Sequence, residues 1–261
     1  SISWIRKNLK KGIIISGNHL VYNNRNLPVQ DLKQEFAKAF PKSSSVTYLD
    51  QMTGIMSKEV NGILFIGTTL YTDYKLINED DQIYSMRLAC HPSRGINDFK
   101  LGIVRDKNSI RRLNPKDYLR WFIESKKEMT RLIDSHPNQE IIIVTHHCPH
   151  ISCYKSIYPY DNALSPSYAS NLEEFIKSHP NIKLWITGHI HDRQSFKIGN
   201  CLIVQNPRGY EQCFEATNFN PNFFIETKDW SIHQEPFKCA QWEEERKLEK
   251  KRLLFTAFSL G

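Results

Sequence analysis

Five short apolar runs set the terms on which this chain can fold: Gly12–Ser16 (GIIIS), Ile63–Ile66 (ILFI), Glu140–Thr145 (EIIIVT), Ile182–Thr187 (IKLWIT) and Cys201–Gln205 (CLIVQ). Each is four to six residues long, rich in Ile and Val, and nearly continuous rather than alternating. A strand with one wet face alternates apolar and polar residues, whereas a continuous run needs cover on both faces. These runs therefore predict strands in the middle of a layered structure.

Helical patterns fall between them. Asn114 is an N-cap candidate and Pro115 a first helical residue, with Tyr118, Phe122, Met129, Leu132 and Ile133 falling largely at helical spacing as far as about His136. A second helix is expected over Ser167–Ser178, with Leu172, Phe175 and Ile176 on one face, ending before Pro180. Interleaved strands and helices predict an α/β layered domain. The polar segment Asp73–Arg112 reads as a long irregular excursion beside the site. Residues 1–228 read as one domain and 229–261 as a charged helical extension, carried by Trp242–Phe255 (WEEERKLEKKRLLF).

A chain of 261 residues with 40% hydrophobic and 24% charged residues can build a sizeable core. No run approaches the ~18–20 apolar residues of a membrane span, so no membrane partner is expected and a cytoplasmic location follows by default. The six cysteines are scattered without a C-x-x-C pair and read as reduced thiols. A net charge of +7 suits an anionic substrate. It permits nucleic acid as a partner, but no clustered basic and aromatic groove supports one. Oligomeric state is left open by the sequence.

The chemistry collects at strand ends. GIIIS runs into Gly17-Asn18-His19, EIIIVT into His146-His147-Cys148-Pro149, and KLWIT into Gly188-His189-Ile190-His191. Ligands of open α/β sheets bind beyond the carboxyl ends of the strands. Imidazoles and an amide oxygen are ligands for a divalent transition metal such as Mn, Fe, Zn or Ni. His147 and His150 stay ambiguous, because adjacent histidines cannot all face one metal. His91, His136, His179 and His233 read as structural.

The order Gly-Asn-His, Thr-His-His-x-Pro and Gly-His-x-His resembles the calcineurin-like metallophosphoesterase superfamily. The segments 68–73 (TTLYTD), 164–170 (LSPSYAS) and 206–210 (NPRGY) resemble its bacterial and phage phosphoesterases. The likeness covers about residues 4–228. It implies a layered β-sandwich flanked by helices, and a dinuclear metal centre. The activity it implies is hydrolysis of a phosphomonoester or phosphodiester by metal-bound hydroxide. Asn18, His146 and His189 would hold one metal and His191 the other. His19 would act at the leaving group, and Arg208 and Tyr210 become candidate substrate contacts. His146 is preferred over His147 because it follows the strand directly.

Two features depart from the family. Its Asp-x-His and Gly-Asp motifs precede Gly-Asn-His, yet only sixteen residues precede Gly17 and none of them is Asp. The chain starts at Ser1 without Met, and the expectation is a fold lacking its first strands, with impaired activity in this form. Leu20 also stands where an acidic residue usually orients the preceding His. The alternative is a non-catalytic metallophosphoesterase remnant serving as a binding or interaction protein.

Overall fold

The computed structural model describes residues 2–22, 26–78, 80, 82–107, 109–154, 163–210 and 219–234. At its centre lie β4 (Ile63–Thr68), β7 (Ile141–Thr145), β8 (Ile182–Thr187) and β10 (Cys201–Gln205), all parallel. Antiparallel edge strands β3 (Ser57–Val60) and β9 (Gln194–Ile198) complete a six-stranded sheet ordered β3-β4-β7-β8-β10-β9. Every residue of β7 and β10 is buried, as their continuous Ile/Val runs predicted.

Successive residues serve opposite faces. Ile141 and Ile143 join Ile66, Trp185 and Ile203 in a core against Phe122, Met129 and Ile133 of helix α5 (Pro115–Asp134) and Ile176 of α6 (Glu173–Lys177). Ile142 and Val144 join Phe65, Leu184 and Val204 in a second core. That core is closed by Ile13 and Ile15, by Leu49, and by Phe223 and Ile225 of the hairpin β11 (Phe223–Glu226) and β12 (Ser231–Gln234). Strand β1 (Gly12–Ile14) pairs in parallel with β2 (Val46–Tyr48). Its other face packs Ile14 with Ile5 of α1 (Ile2–Asn8) and Phe36 of α2 (Val29–Ala39). The layered α/β architecture expected from the sequence is thus present. The hairpin β11–β12 crosses residue 228, and Trp242–Phe255 lies outside the described residues.

Helix α5 starts where Asn114 and Pro115 placed it, because the Asn114 side chain accepts from Lys116 N–H at 2.9 Å while Asp117 accepts from Asn114 N–H at 3.0 Å. The helix expected over Ser167–Ser178 is corrected to α6, five residues long. Its first half is committed elsewhere. Ala169 bridges Cys148 in parallel, Ser170 N–H donates to the Cys148 carbonyl at 3.0 Å, and Leu172 N–H donates to that of Pro149 at 2.8 Å. Backbone groups used to hold the His146 loop cannot also close helical turns.

The segment Asp73–Arg112 is likewise more ordered than expected. It forms α3 (Gln82–Ala89), α4 (Asp98–Leu101) and the hairpin β5 (Ile103–Asp106) with β6 (Ser109–Arg112). Its Tyr74, Ala89, Ile96, Phe99 and Val104 share a third core with Tyr118 and Trp121 of α5. Arg111 forks onto Asp117, its two terminal nitrogens 2.7 and 2.8 Å from the two carboxylate oxygens. Among the described residues no helix is long and apolar enough to cross a membrane. Cys90, Cys148, Cys153 and Cys201 are free thiols.

Behind the strand ends lies a buried ion pair. Lys33 Nζ of α2 is 2.6 Å from Asp50 Oδ2, each side chain 1% exposed, and it donates to Thr69 Oγ1 at 2.8 Å. Thr69 Oγ1 stands 2.9 Å from the Ser16 carbonyl, so the pair ties the ends of β1, β2 and β4 to α2. Breaking one partner leaves a charge buried without compensation. Lys33→Met should lower unfolding free energy by about 3–5 kcal/mol, and Lys33→Met combined with Asp50→Asn should recover at least half of that loss, both measured by urea denaturation.

Candidate functional site

Because β1, β7 and β8 end at the same edge, the three polar loops meet there. His146 Nε2 lies 2.8 Å from Asn18 Oδ1 and 2.8 Å from His189 Nδ1. The approach depends on Gly17, where a Cβ would stand 2.8 Å from the His146 ring. His189 N–H donates to the His146 carbonyl at 2.9 Å, which fixes the second loop against the first. Asn18, His19, His146, His189 and His191 all line one cleft of about 340 Å³, together with Tyr22, Tyr154, Tyr168 and Tyr210.

Of the two adjacent histidines, His146 faces Asn18. His147 turns away into the aromatic core, its ring stacked on His189 at 4.4 Å and edge-on to Tyr118 at 6.1 Å. Its Nδ1 is buried without a hydrogen-bond partner, and burial pushes its pKa down to about 4. Burial, followed by neighbouring imidazoles, also holds His146 and His189 well below the ordinary histidine value. His150 sits outside the cleft, beside Glu173 at 3.5 Å.

Asn18 Oδ1, His146 Nε2 and His189 Nδ1 form a contact with room for one proton. When His146 Nε2 carries it, both neighbours accept; when His189 Nδ1 carries it, Asn18 Oδ1 faces a lone pair. Such a convergence of oxygen and imidazole nitrogen suits a divalent transition ion, which satisfies all three lone pairs at once. Among the described residues no three His, Cys, Asp or Glu side chains are placed to hold a metal. The two imidazoles and one amide fit one ion rather than two.

His19 and His191 flank this contact. The Tyr210 hydroxyl lies 2.9 Å from His19 Nε2, and the Tyr210 ring meets that of His191 edge-on at 4.8 Å. Tyr22 packs on the other side of His19, ring centres 4.4 Å apart. Burial lowers the His19 pKa, with Asp98 opposing and His191 adding to the shift. Leu20 is partly buried against the α1–α2 core. Two tyrosines therefore hold His19 where an acidic neighbour was expected.

Asp98 belongs to no motif in the sequence. Buried at the start of α4, it accepts from Asn18 Nδ2 at 2.9 Å, from Tyr118 at 2.5 Å, and from the Tyr22 hydroxyl. The only hint was an acid set between apolar Ile96 and Phe99. Lys33 and Asp50 were missed for the same reason, since a lone charge reads as surface until its partner is known.

No family model matches the chain. A protein of Acanthamoeba polyphaga mimivirus, the uncharacterized protein L509, is 26% identical over 226 residues, covering 81% of this chain and 72% of that protein. The phosphopantetheinyl hydrolase of Mycobacterium tuberculosis superposes with a TM-score of 0.61 at 14% identity, over 88% of this chain and 77% of that one. A putative 5'-nucleotidase of Staphylococcus aureus gives a TM-score of 0.38 at 14% identity, over 95% of this chain and 43% of that one. The first of these structures shares the fold described above.

The buried histidines make folding pH-dependent. Their folded-state pKa lies below the unfolded value, so the unfolded chain binds protons first on acidification. Stability is fully present above about pH 6.5 and falls as the pH drops toward the folded values. For His147 the window runs from the ordinary histidine value of about 6.5 to about 4, a loss on the order of 3 kcal/mol. Urea titrations of metal-free protein across this range should show the fall, and His147→Gln should make it shallower.

Proposed function

We propose that this chain is a metal-dependent phosphoesterase acting on a phosphomonoester or phosphodiester. The observation that carries the reading is the Asn18–His146–His189 contact, three lone-pair atoms at the ends of two buried strands and a short third one. In this reading Asn18, His146 and His189 would hold one divalent transition ion, and His191, which lines the same cleft, would serve a second. A bound ion of this type polarises phosphoryl oxygens and lowers the pKa of a coordinated water.

The remaining chemistry belongs to the chain. His19, with its lowered pKa, is a neutral imidazole near pH 7 and can hold a proton at Nε2 toward a departing oxygen. Tyr22 and Tyr210 pack against its ring, the Tyr210 hydroxyl 2.9 Å from Nε2 and 3.1 Å from Nδ1. Tyr154 and Tyr168 help to wall the cleft. The fold shared with a phosphopantetheinyl hydrolase is in keeping with an activity on phosphate esters. The alternative is a non-catalytic remnant acting as a binding or interaction protein, which would bind metal weakly or not at all.

Hydrolysis of bis-p-nitrophenyl phosphate with added Mn²⁺ separates the two readings. Turnover by the wild-type chain, expected to be impaired, should fall to background in His146→Ala with His189→Ala, and His19→Ala should cost about 10²–10⁴-fold in kcat. Activity that survives the double substitution would disprove the site. Absence of both turnover and tight Mn²⁺ binding would favour the non-catalytic remnant.

A further inference from the structure

We propose that Asp98 is a positioning residue that sets the amide of Asn18 for metal binding; this rests on Asn18 being a ligand. An asparagine binds a metal through Oδ1 only, yet its amide can rotate by half a turn at little cost in shape. Something must select the productive face. Asp98 Oδ2, an acceptor, lies 2.9 Å from the Asn18 amide nitrogen. That contact directs Nδ2 toward Asp98 and turns Oδ1 toward His146 Nε2 at 2.8 Å.

Asp98 is itself held on several sides. Tyr118 on α5 donates to Oδ2 at 2.5 Å, and the Tyr22 hydroxyl donates to Oδ1. Burial and the Asp98 charge raise both phenol pKa values, so both remain O–H donors across the working range. The turn leading to α4 is fixed as well. Ile96 N–H donates to the Ala89 carbonyl at 2.9 Å, and a Cβ at Gly95 would stand 2.3 Å from that oxygen. The whole 73–112 segment therefore delivers one carboxylate, at 2% exposure, to the back of a ligand eighty residues away. Partners behind a ligand commonly contribute 10- to 100-fold in metal affinity, in order of magnitude roughly what a ligand's orientation is worth.

The test is a double-mutant cycle read by calorimetric titration with Mn²⁺ alone, on the full chain. Asp98→Asn keeps the shape and offers Asn18 a neutral acceptor, and should weaken binding roughly 3- to 10-fold. Asp98→Ala removes the acceptor and should weaken it about 10- to 100-fold. Asn18→Ala keeps both imidazoles and a weak, measurable affinity. In that background either Asp98 substitution should change affinity less than about 2-fold, because the amide it orients is gone. Should Asp98→Ala fail to fold, the Asp98→Asn cycle carries the same comparison. Equal losses with and without the Asn18 amide would mean a general structural role and overturn the proposal, as would wild-type affinity in both Asp98 variants. If Asn18→Ala itself binds Mn²⁺ like wild type, Asn18 is not a ligand, and the metal assignment falls together with this inference. A loss in Asn18→Ala without one in the Asp98 variants would refute the inference alone.

Discussion

A parallel sheet buried on both faces leaves no room for polar side chains along its strands. Ile141–Val144 and Leu202–Val204 are spent on the two cores, and the site's polar groups lie where the strands stop. In parallel strands those stops share an edge. The site is therefore a consequence of the core, and its residues need no proximity in sequence. Asn18 and His146 are 128 residues apart and yet in hydrogen-bond contact.

That edge is held open to close approach by small features. Strand β1 is only three residues long and cannot fix its own end. The Lys33–Asp50 pair, through Thr69 and the Ser16 carbonyl, anchors it instead. Gly17 then lets the backbone pass beside the His146 ring. Leu20, whose side chain cannot hydrogen-bond, packs against the α1–α2 core, and the contacts to His19 come from Tyr22 and Tyr210.

Much of this was legible in the residues. Runs without alternation mark strands covered twice, and Asn114-Pro115 marks a helix start, because both signals are local. The histidine loops were legible because strand-end placement follows from topology. What escaped was set by long-range pairing. Ser167–Ser178 has helical spacing, but the backbone of its first half bonds to the Cys148–Pro149 loop, and only Glu173–Lys177 is helical. Asp73–Arg112 lacks periodicity because its elements are short, four to eight residues each, and are held by Tyr118 and Trp121 from another helix. Asp98 could be recognised only once Asn18, Tyr22 and Tyr118 were known to surround it.

The same groups that suit the site to a cation weigh against the metal-free fold. His146 and His189 are kept neutral by burial, three lone-pair atoms share one proton, and His147 Nδ1 has no partner. Each of these costs free energy that the unfolded chain avoids by hydration. An ion that binds the folded chain alone returns some of it, by an amount set by its concentration relative to Kd. At the proposed metal site, folding and ion binding would then be linked through the same atoms. Asp98 and the Lys33–Asp50 pair hold those side chains in place in the fold as it stands, so the order they impose would favour binding of an ion.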